Sequence, residues 1–210
     1  MDITFISDTH GLHNRLKLNP GAALIHAGDI TEFGSEDEVV DFLYWFSRQA
    51  FTYKIFIAGN HDLFLEECTP AKRKRIMPSD VIYLQNSSVE IAGLKVWGSP
   101  VTPYFLGMAF NVRQGNEIKK VWNQIPADTD ILITHGPPMG ILDCGVGDAE
   151  LLRKVDQIKP AVHCFGHAHG QNGIEMINGT TFINASIVNS LNLFNSAGYK
   201  VIGKQILFEI

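Results

Sequence analysis

The chain is poor in cysteine, with only 3 in 210 residues. Cys68, Cys144 and Cys164 are odd in number and far apart, which is typical of reduced thiols rather than of a disulfide framework. The chain also lacks a long apolar run, since none approaches the ~20 residues that a membrane-spanning helix needs. These shortages exclude the disulfide-stapled secreted domains and the transmembrane helical proteins.

Basic charge is not in excess either. Lys and Arg together number 17 against 22 for Asp and Glu, so the formal net charge is −5. This balance gives no overall attraction to nucleic acid or to an anionic membrane, which argues against both as partners. The one basic cluster, Lys72–Arg75, is either a local polynucleotide-binding patch or, as we expect, a solvated helix face or loop outside the site.

A targeting signal is not expected at the beginning of the chain. The first strand is expected to begin at Asp2 or Ile3, which leaves no room for a charged segment, an apolar segment and a cleavage site. We therefore expect a cytoplasmic protein. The length of 210 residues is within the range of one domain, so residues 1–210 are expected to form a single domain with one substantial core.

What the chain does have is a recurring pattern in which a short apolar run ends in residue types that bind metals. The five runs and the polar residues after them are Ile3–Ser7 before Asp8 and His10, Ala22–Gly28 before Asp29, Tyr53–Gly59 before Asn60 and His61, Asp130–Thr134 before His135, and Ala161–Gly166 before His167 and His169. In open α/β sheets, functional groups gather beyond the carboxyl ends of the strands. Five such ends can converge on one cluster, which predicts a two-metal hydrolase.

The residue types also suggest how the ligands divide between two cations. One ion would take Asp8, His10, Asp29 and His169, and the other would take Asp29, Asn60, His135 and His167. The Asp29 carboxylate is the natural bridge, because its two oxygens can hold two cations close together. Imidazole with carboxylate suits Mn, Fe and Zn, and we expect Mn²⁺. Such a pair makes hydroxide available near neutral pH and clamps an in-line displacement at phosphorus.

At these positions the chain resembles the calcineurin-like metallophosphoesterase superfamily. The pattern of that family is D-x-H, then G-D, then G-N-H followed by Asp or Glu, then an isolated His, then G-H-x-H, and all five blocks occur here in order between positions 8 and 169. The resemblance implies the same division of metal ligands, with His61 beside the phosphate. It also implies a four-layer α-β-β-α sandwich of two mixed β-sheets flanked by helices, the calcineurin-like phosphoesterase fold.

The segments between the blocks narrow the resemblance. Gly98–Pro100, Thr134–Pro138 and Ile183–Ser186 are similar to segments of the metallophosphoesterase-domain-containing phosphodiesterases. The protein-phosphatase branch differs, because its G-D block is followed by D-R-G. Here Asp29 is followed by Ile-Thr-Glu-Phe-Gly, so the phosphate-gripping Arg is missing. This makes a phosphodiester the leading substrate.

Further residues are predicted to act on the substrate. His61 can protonate the leaving alkoxide or stabilise charge on the phosphoryl oxygens, and it should bond to a carboxylate that orients it. Glu32 is preferred for that role over Asp62, because Glu32 is at the position where the phosphatase branch has its orienting carboxylate. Asn111 and Arg113 are candidates for binding phosphate or a base, and Tyr104, Phe105 and Phe110 could stack on an aromatic group or simply belong to a core.

Local patterns place these blocks in a mixed α/β fold. Ser35 and Glu38 form a capping box that predicts a helix to about Ala50, and further helices are expected at Asn116–Gln124 and Asp148–Ile158. Turns at Ala92-Gly93 and Asn178-Gly179 predict antiparallel hairpins, and residues 205–209 a closing strand. Parallel β-α-β units together with hairpins require mixed sheets.

Three functions are compatible with this pattern. The first is a metal-dependent phosphodiesterase that hydrolyses small diesters such as cyclic nucleotides. The second is a phosphomonoesterase on nucleotides or other small phosphates, since the same dinuclear centre attacks either ester. The third is a non-catalytic binding module on the same fold, against which the complete set of seven ligands argues. In each case the expected partner is a small phosphate ester.

Overall fold

The computed structural model of the protein describes residues 1–190, 199–201 and 203–210. Its helices are α1 (Glu36–Ser47), α2 (Leu63–Glu67), α3 (Pro70–Ile76), α4 (Asn116–Trp122) and α5 (Ala149–Ile158). Its strands are β1 (Asp2–Ile6), β2 (Gly21–His26), β3 (Phe51–Phe56), β4 (Val81–Tyr83), β5 (Ser87–Ile91), β6 (Leu94–Ser99), β7 (Thr102–Pro103), β8 (Asn111–Val112), β9 (Ile131–Thr134), β10 (Val162–Phe165), β11 (Gly173–Ile177), β12 (Thr180–Asn184), β13 (Val188–Ser190), β14 (Tyr199–Val201) and β15 (Ile206–Glu209).

The larger strands form two sheets that are parallel in the middle and antiparallel at an edge. The first has the order β15-β1-β2-β3-β4, in which only β15 runs antiparallel to its neighbour. The second has the order β11-β12-β10-β9-β6-β5, in which the two outer strands are antiparallel. Those outer strands close the two predicted hairpins. Both residues of the Asn178-Gly179 turn have positive φ, as a type I′ turn requires.

Successive side chains along a strand face opposite sides of the sheet, so each sheet packs on one side against the other sheet and on the other side against helices. On β9, Ile131 and Ile133 pack against the first sheet, whereas Leu132 faces the opposite side and packs under α4 and α5. On the outer face of the first sheet, Phe42 and Phe46 of α1 stack on each other, with ring centroids 5.0 Å apart. The four-layer α-β-β-α sandwich that the sequence predicted is thereby confirmed.

Helix α1 begins at the predicted capping box. The Ser35 hydroxyl accepts from the Glu38 amide, and the Glu38 carboxylate accepts from the Ser35 amide. The same carboxylate also accepts from the amides of Glu32 and Phe33, at 2.9 and 3.1 Å. Burial raises the pKa of Glu38, but these hydrogen bonds lower it by more, so the net shift of that pKa is downward. The box therefore fixes the loop before α1 as well as the helix.

The basic cluster Lys72–Arg75 lies on helix α3. The sequence analysis expected a helix face or a loop at this place. The Lys72 ammonium pairs with the Glu36 carboxylate, and Arg73 bonds to the Gln85 side chain. No helix in the described ranges is long and apolar enough to cross a membrane.

Candidate metal centre

The carboxyl ends of the parallel strands of both sheets meet at one edge of the sandwich. The amide of Asp8, after β1, donates to the Gly28 carbonyl after β2 at 2.9 Å, and the Gly166 amide, after β10, donates to the His135 carbonyl after β9 at 3.0 Å. The two sheets join here because the Asp8 carboxylate accepts from the His167 amide at 3.0 Å. The five predicted strand exits therefore converge as the sequence analysis expected.

One group of possible metal ligands consists of Asp8, His10, Asp29 and His169, whose ligand atoms all lie within 4.8 Å of one another. His169 Nε2 is 3.2 Å from Asp8 Oδ1 and 3.2 Å from His10 Nε2. His10 Nε2 is 3.7 Å from Asp29 Oδ2. These four residues are the ones that the sequence assigned to the first cation.

A second group consists of Asp29, His135 and His167, again with ligand atoms within 4.8 Å of one another. His135 Nε2 lies 3.2 Å from Asp29 Oδ2 and 3.0 Å from the side-chain oxygen of Asn60. Asn60 thus joins the residues expected for the second cation. Asp29 belongs to both groups, which is the place of a bridging ligand.

The buried carboxylates and imidazoles of this cluster shift one another's pKa values. Burial raises the pKa values of the Asp8 and Asp29 carboxyls, but the surrounding imidazoles, His169 for Asp8 and His135 for Asp29, hold both below their usual range. Burial likewise lowers the pKa of His135, but the Asp29 carboxylate outweighs it and raises that pKa to about 9. Buried carboxylates surrounded by imidazoles and one amide oxygen are a donor set that suits Mn²⁺, Fe²⁺ or Zn²⁺. The residues therefore fit two divalent cations.

Several of the ligand residues have a strained backbone. Asp8, His10, Asp29 and His167 have φ values of 56°, 42°, 55° and 66°, in the left-handed region that non-glycine residues rarely adopt. Strain of this kind costs on the order of 1–3 kcal/mol per residue and clusters at functional sites. Here it turns the chain sharply after β1, β2 and β10, whereas Asn60 after β3 and His135 after β9 have no positive φ.

Two glycines let the backbone approach the ligands. A Cβ on Gly59 would lie 2.3 Å from Asp29 Oδ1, and one on Gly166 would lie 2.2 Å from Asp8 Oδ2. Neither position therefore accepts a side chain without moving a carboxylate. Gly136 is different, because a Cβ there would make an ordinary contact of 3.4 Å with Thr102.

His61 lies beside the first group, with its ring edge-on to His10 at 4.7 Å between centroids. Its amide donates to Asp29 Oδ1 at 2.9 Å, and its Nδ1 bonds to the Glu32 backbone carbonyl at 2.9 Å. The expectation that the Glu32 carboxylate orients His61 is corrected here, since the main chain does so. The carboxylate instead lies against His10, with Oε2 3.2 Å from Nδ1.

Asp62, the alternative partner of His61, shapes the backbone around the site. Its buried carboxylate accepts from the amides of Gly59, Ile30 and Thr31 at 2.7, 3.3 and 2.9 Å. Burial raises the pKa of Asp62 to about 6, with the Asp29 charge adding to the rise. Sequence reasoning missed this bracing of two ligand loops, although the place of Asp62 directly after G-N-H was the available signal.

The proposed substrate residues have other surroundings than expected. The Asn111 side chain donates to Thr102 Oγ1 at 2.9 Å and accepts from the Phe105 amide at 2.9 Å, so it braces its own loop. Arg113 is exposed. The loop instead reaches the centre through Met108, whose sulfur lies 3.2 Å from Asn60 Nδ2. No residue pattern indicated that contact, and substrate binding by Asn111 or Arg113 stays a prediction.

The three histidines outside the five blocks, His13, His26 and His163, are buried. His26 Nε2 bonds to the Thr9 hydroxyl at 3.0 Å, and His163 Nε2 bonds to the Thr134 hydroxyl at 2.9 Å. Burial lowers the pKa of each to about 3, so both are neutral at physiological pH. His13 is also buried and contacts the Asp41 carboxylate at 3.0 Å.

This fold and this cluster together define the metallophosphoesterase class of protein. The sequence profile of the family described as calcineurin-like phosphoesterase matches residues 1–171. The chain therefore belongs to the calcineurin-like phosphoesterase family, a family of phosphoester hydrolases that typically binds a dinuclear metal centre.

Individual relatives agree with this assignment. The chain is 37% identical to metallophosphoesterase domain-containing protein 1 of Homo sapiens, over 87% of this chain and 64% of that protein. It thus spans less than two thirds of the length of this relative. It is 35% identical to a UPF0046 protein of Caenorhabditis elegans, over 91% of this chain and 71% of that protein. Among solved structures, a phosphopantetheinyl hydrolase from Mycobacterium tuberculosis superposes with a TM-score of 0.57 over 88% of each chain, and at 15% identity this shows the fold alone.

Proposed function

We propose that this protein is a dinuclear metal-dependent phosphodiesterase that hydrolyses small phosphodiesters such as cyclic nucleotides. The observation that carries the proposal is the position of Asp29, which belongs to both ligand groups and is 2% exposed at its side chain. A shared buried carboxylate is what two cations need in order to act on one phosphate. The ligands of one ion would be completed by Asp8, His10 and His169. Those of the other ion would be completed by Asn60, His135 and His167.

Two cations held by these residues would supply an activated water and would neutralise the charge that develops at phosphorus. The protein itself supplies the group that serves the leaving oxygen. Because the Glu32 carbonyl accepts from His61 Nδ1, Nε2 is the ring nitrogen that remains for the substrate, and it would carry the transferable proton when the imidazole is protonated. The ligand atoms of His61 also lie within 4.8 Å of those of His10 and Glu32, but His61 belongs to neither group that contains Asp29, and we assign it to proton transfer to the leaving alkoxide.

A cavity of about 480 Å³ beside the centre supports the diester preference. It is lined by His10 and Glu32 from the site, by the exposed Phe33 ring, and by the carboxylates of Asp37 and Asp41. The space can take a second ester substituent. The surrounding negative charge disfavours a dianionic terminal phosphate, for which the chain also lacks the Arg of the phosphatase branch.

The diester preference gives a first prediction. We expect kcat/KM for bis(p-nitrophenyl) phosphate to exceed that for p-nitrophenyl phosphate by at least about tenfold, or roughly 1.4 kcal/mol in transition-state binding. Both substrates release the same chromophore, so one absorbance assay compares them under identical metal loading. A preference of similar size for the monoester would replace the proposal by a phosphomonoesterase acting on nucleotides or other small phosphates.

The dinuclear centre gives a second prediction. Elemental analysis of active protein is expected to give two divalent transition metals per chain, and excess chelator should abolish turnover. We expect Mn²⁺ to restore activity better than Mg²⁺, because four of the seven proposed ligands are imidazole nitrogens and Mg²⁺ prefers oxygen. One metal per chain in fully active protein, or undiminished turnover in chelator, would contradict the proposal.

We further propose that the partner is a small phosphate ester and that the protein works in the cytoplasm without a membrane or nucleic acid partner. The net charge of −5 supports the absence of a nucleic acid or anionic membrane partner, since it provides no general attraction to polyanions. Fractionation of cells that express the tagged protein tests the location. Recovery with the membrane pellet or with nucleic acid would contradict it.

A further inference from the structure

We propose that Glu32 is a positioning residue of the metal centre, and that its carboxylate orients His10 while its backbone carbonyl orients His61. The inference rests on the dinuclear centre of the proposed function but not on which ester is hydrolysed. In the phosphatase branch a carboxylate orients the histidine that corresponds to His61. Here the Glu32 backbone would take that role, and the Glu32 carboxylate would orient His10 instead. Glu32 alone would then fix the orientation of a metal ligand, His10, and of the group that serves the leaving oxygen, His61.

The geometry around Glu32 carries this proposal. Glu32 Oε2 lies 3.2 Å from His10 Nδ1, and the two side chains are only 15% and 0% exposed. Within the described part of the chain that buried oxygen makes no hydrogen bond, and its 3.2 Å approach to the His10 imidazole is an ion-pair contact. A buried carboxylate oxygen is costly unless it is paired, so the contact with His10 is the one that compensates its burial.

The chemistry of the imidazole explains what the contact would do. A carboxylate at Nδ1 requires a proton on that nitrogen, which leaves the lone pair on Nε2. His10 Nε2 is the atom that faces the first group, 3.2 Å from His169 Nε2 and 3.7 Å from Asp29 Oδ2. The carboxylate thus selects the tautomer that can bind a cation and holds the ring in that orientation.

Glu32 is itself held rigidly by the start of helix α1. The Glu38 carboxylate accepts from the Glu32 amide at 2.9 Å while it also completes the capping box with Ser35. The helix terminus therefore fixes the Glu32 backbone, whose carbonyl reaches His61 and whose side chain reaches His10. Support of this kind distinguishes a positioning residue from a carboxylate that merely lies near the site.

The test is the metal affinity of Glu32→Gln and Glu32→Ala. Metal-free protein is titrated with Mn²⁺ by calorimetry, and the dissociation constant of each of the two sites is compared with the wild type. We expect one site to weaken by about 10–100-fold, the range typical of losing a group that orients a metal-bound His, and the other to stay within about twofold. At saturating Mn²⁺, kcat for bis(p-nitrophenyl) phosphate should fall by less than about tenfold, because the backbone carbonyl still orients His61.

Glu36→Gln is the matched control. Glu36 is also an acidic residue near the start of α1, but it is 41% exposed and pairs with Lys72 away from the centre. This variant makes the same change of charge and should leave both affinities unchanged.

Three results would overturn the inference. Unchanged affinities with a large loss of kcat at saturating Mn²⁺ would place the carboxylate on His61 or the substrate instead. Equal weakening of both sites, or the same weakening in Glu36→Gln, would show a general effect of charge or stability. Thermal melting of the metal-free variants accompanies the titrations, and the isosteric Glu32→Gln keeps the test valid if the alanine variant does not fold. Failure of the proposed function is distinguishable, because it appears as fewer than two sites in the wild type.

Discussion

Replacement of Asp29 by alanine is expected to remove both metal ions and to lower the phosphodiesterase rate by at least about four decades, or roughly 5 kcal/mol. Asp29 is the residue that the two ligand groups share, and Oδ2 lies 3.2 Å from His135 Nε2 and 3.7 Å from His10 Nε2. Removing a ligand from one ion alone would leave the other bound. Removing the bridge weakens both ions at once and leaves the buried imidazoles without their counter-charge.

Metal content by elemental analysis, with kcat on bis(p-nitrophenyl) phosphate, measures this prediction. Asp29→Asn is the informative companion variant, because its amide oxygen can still accept from the His61 amide, as Asp29 Oδ1 does at 2.9 Å. It keeps the loop geometry but lacks the charge and the second bridging oxygen. We expect it to lose metal as well. Retention of two metals, or of more than about a hundredth of the activity, by the alanine variant would refute the bridging role.

His61→Ala is expected to lower kcat by about two to four decades while metal content stays near that of the wild type. His61 contacts the centre edge-on through His10 and is held by the Glu32 carbonyl, so it can act on the substrate without binding the shared ions. The loss of a positioned acid slows departure of the alkoxide. It does not remove a ligand from either group that contains Asp29.

Substrates with different leaving groups test whether His61 donates a proton or whether its replacement only disturbs the site. A p-nitrophenolate leaves easily without a proton, whereas an alkoxide does not, so the loss in His61→Ala should be larger for an alkyl diester than for bis(p-nitrophenyl) phosphate. Equal losses on both substrates would point to charge stabilisation on the phosphoryl oxygens instead. Loss of both ions, or an unchanged kcat, would show that the assigned role is wrong.

The parts of the fold that the sequence predicted are those with a local cause. The helix start at Ser35 and Glu38 follows from hydrogen bonds between residues three apart. The Asn178-Gly179 hairpin follows from the positive φ that this pair tolerates. The convergence of the ligand blocks was predictable because parallel strands bring their carboxyl ends to the same edge, whatever the loops between them do.

The parts that escaped prediction depend on contacts between distant loops. Glu32 was identified as an orienting residue, but which histidine its carboxylate meets depends on how the loop after β2 packs on the loop after β1. The bond from the Asn111 amide to Thr102 within its loop was likewise not predicted. The contact of Met108 with Asn60 joins residues 48 positions apart, and no periodicity or spacing encodes it.

The bonds made by Asp8 have a consequence for how the chain folds. Its carboxylate accepts from the His167 amide, 159 residues away, and from the Ser186 hydroxyl, 178 residues away. Contacts of such sequence separation form only after the loop-closure entropy of most of the chain has been overcome. The Asp8 carboxylate therefore obtains these partners only when the last third of the chain has packed, and a fragment that ends before His167 would lack both of them as well as the two ligand candidates His167 and His169.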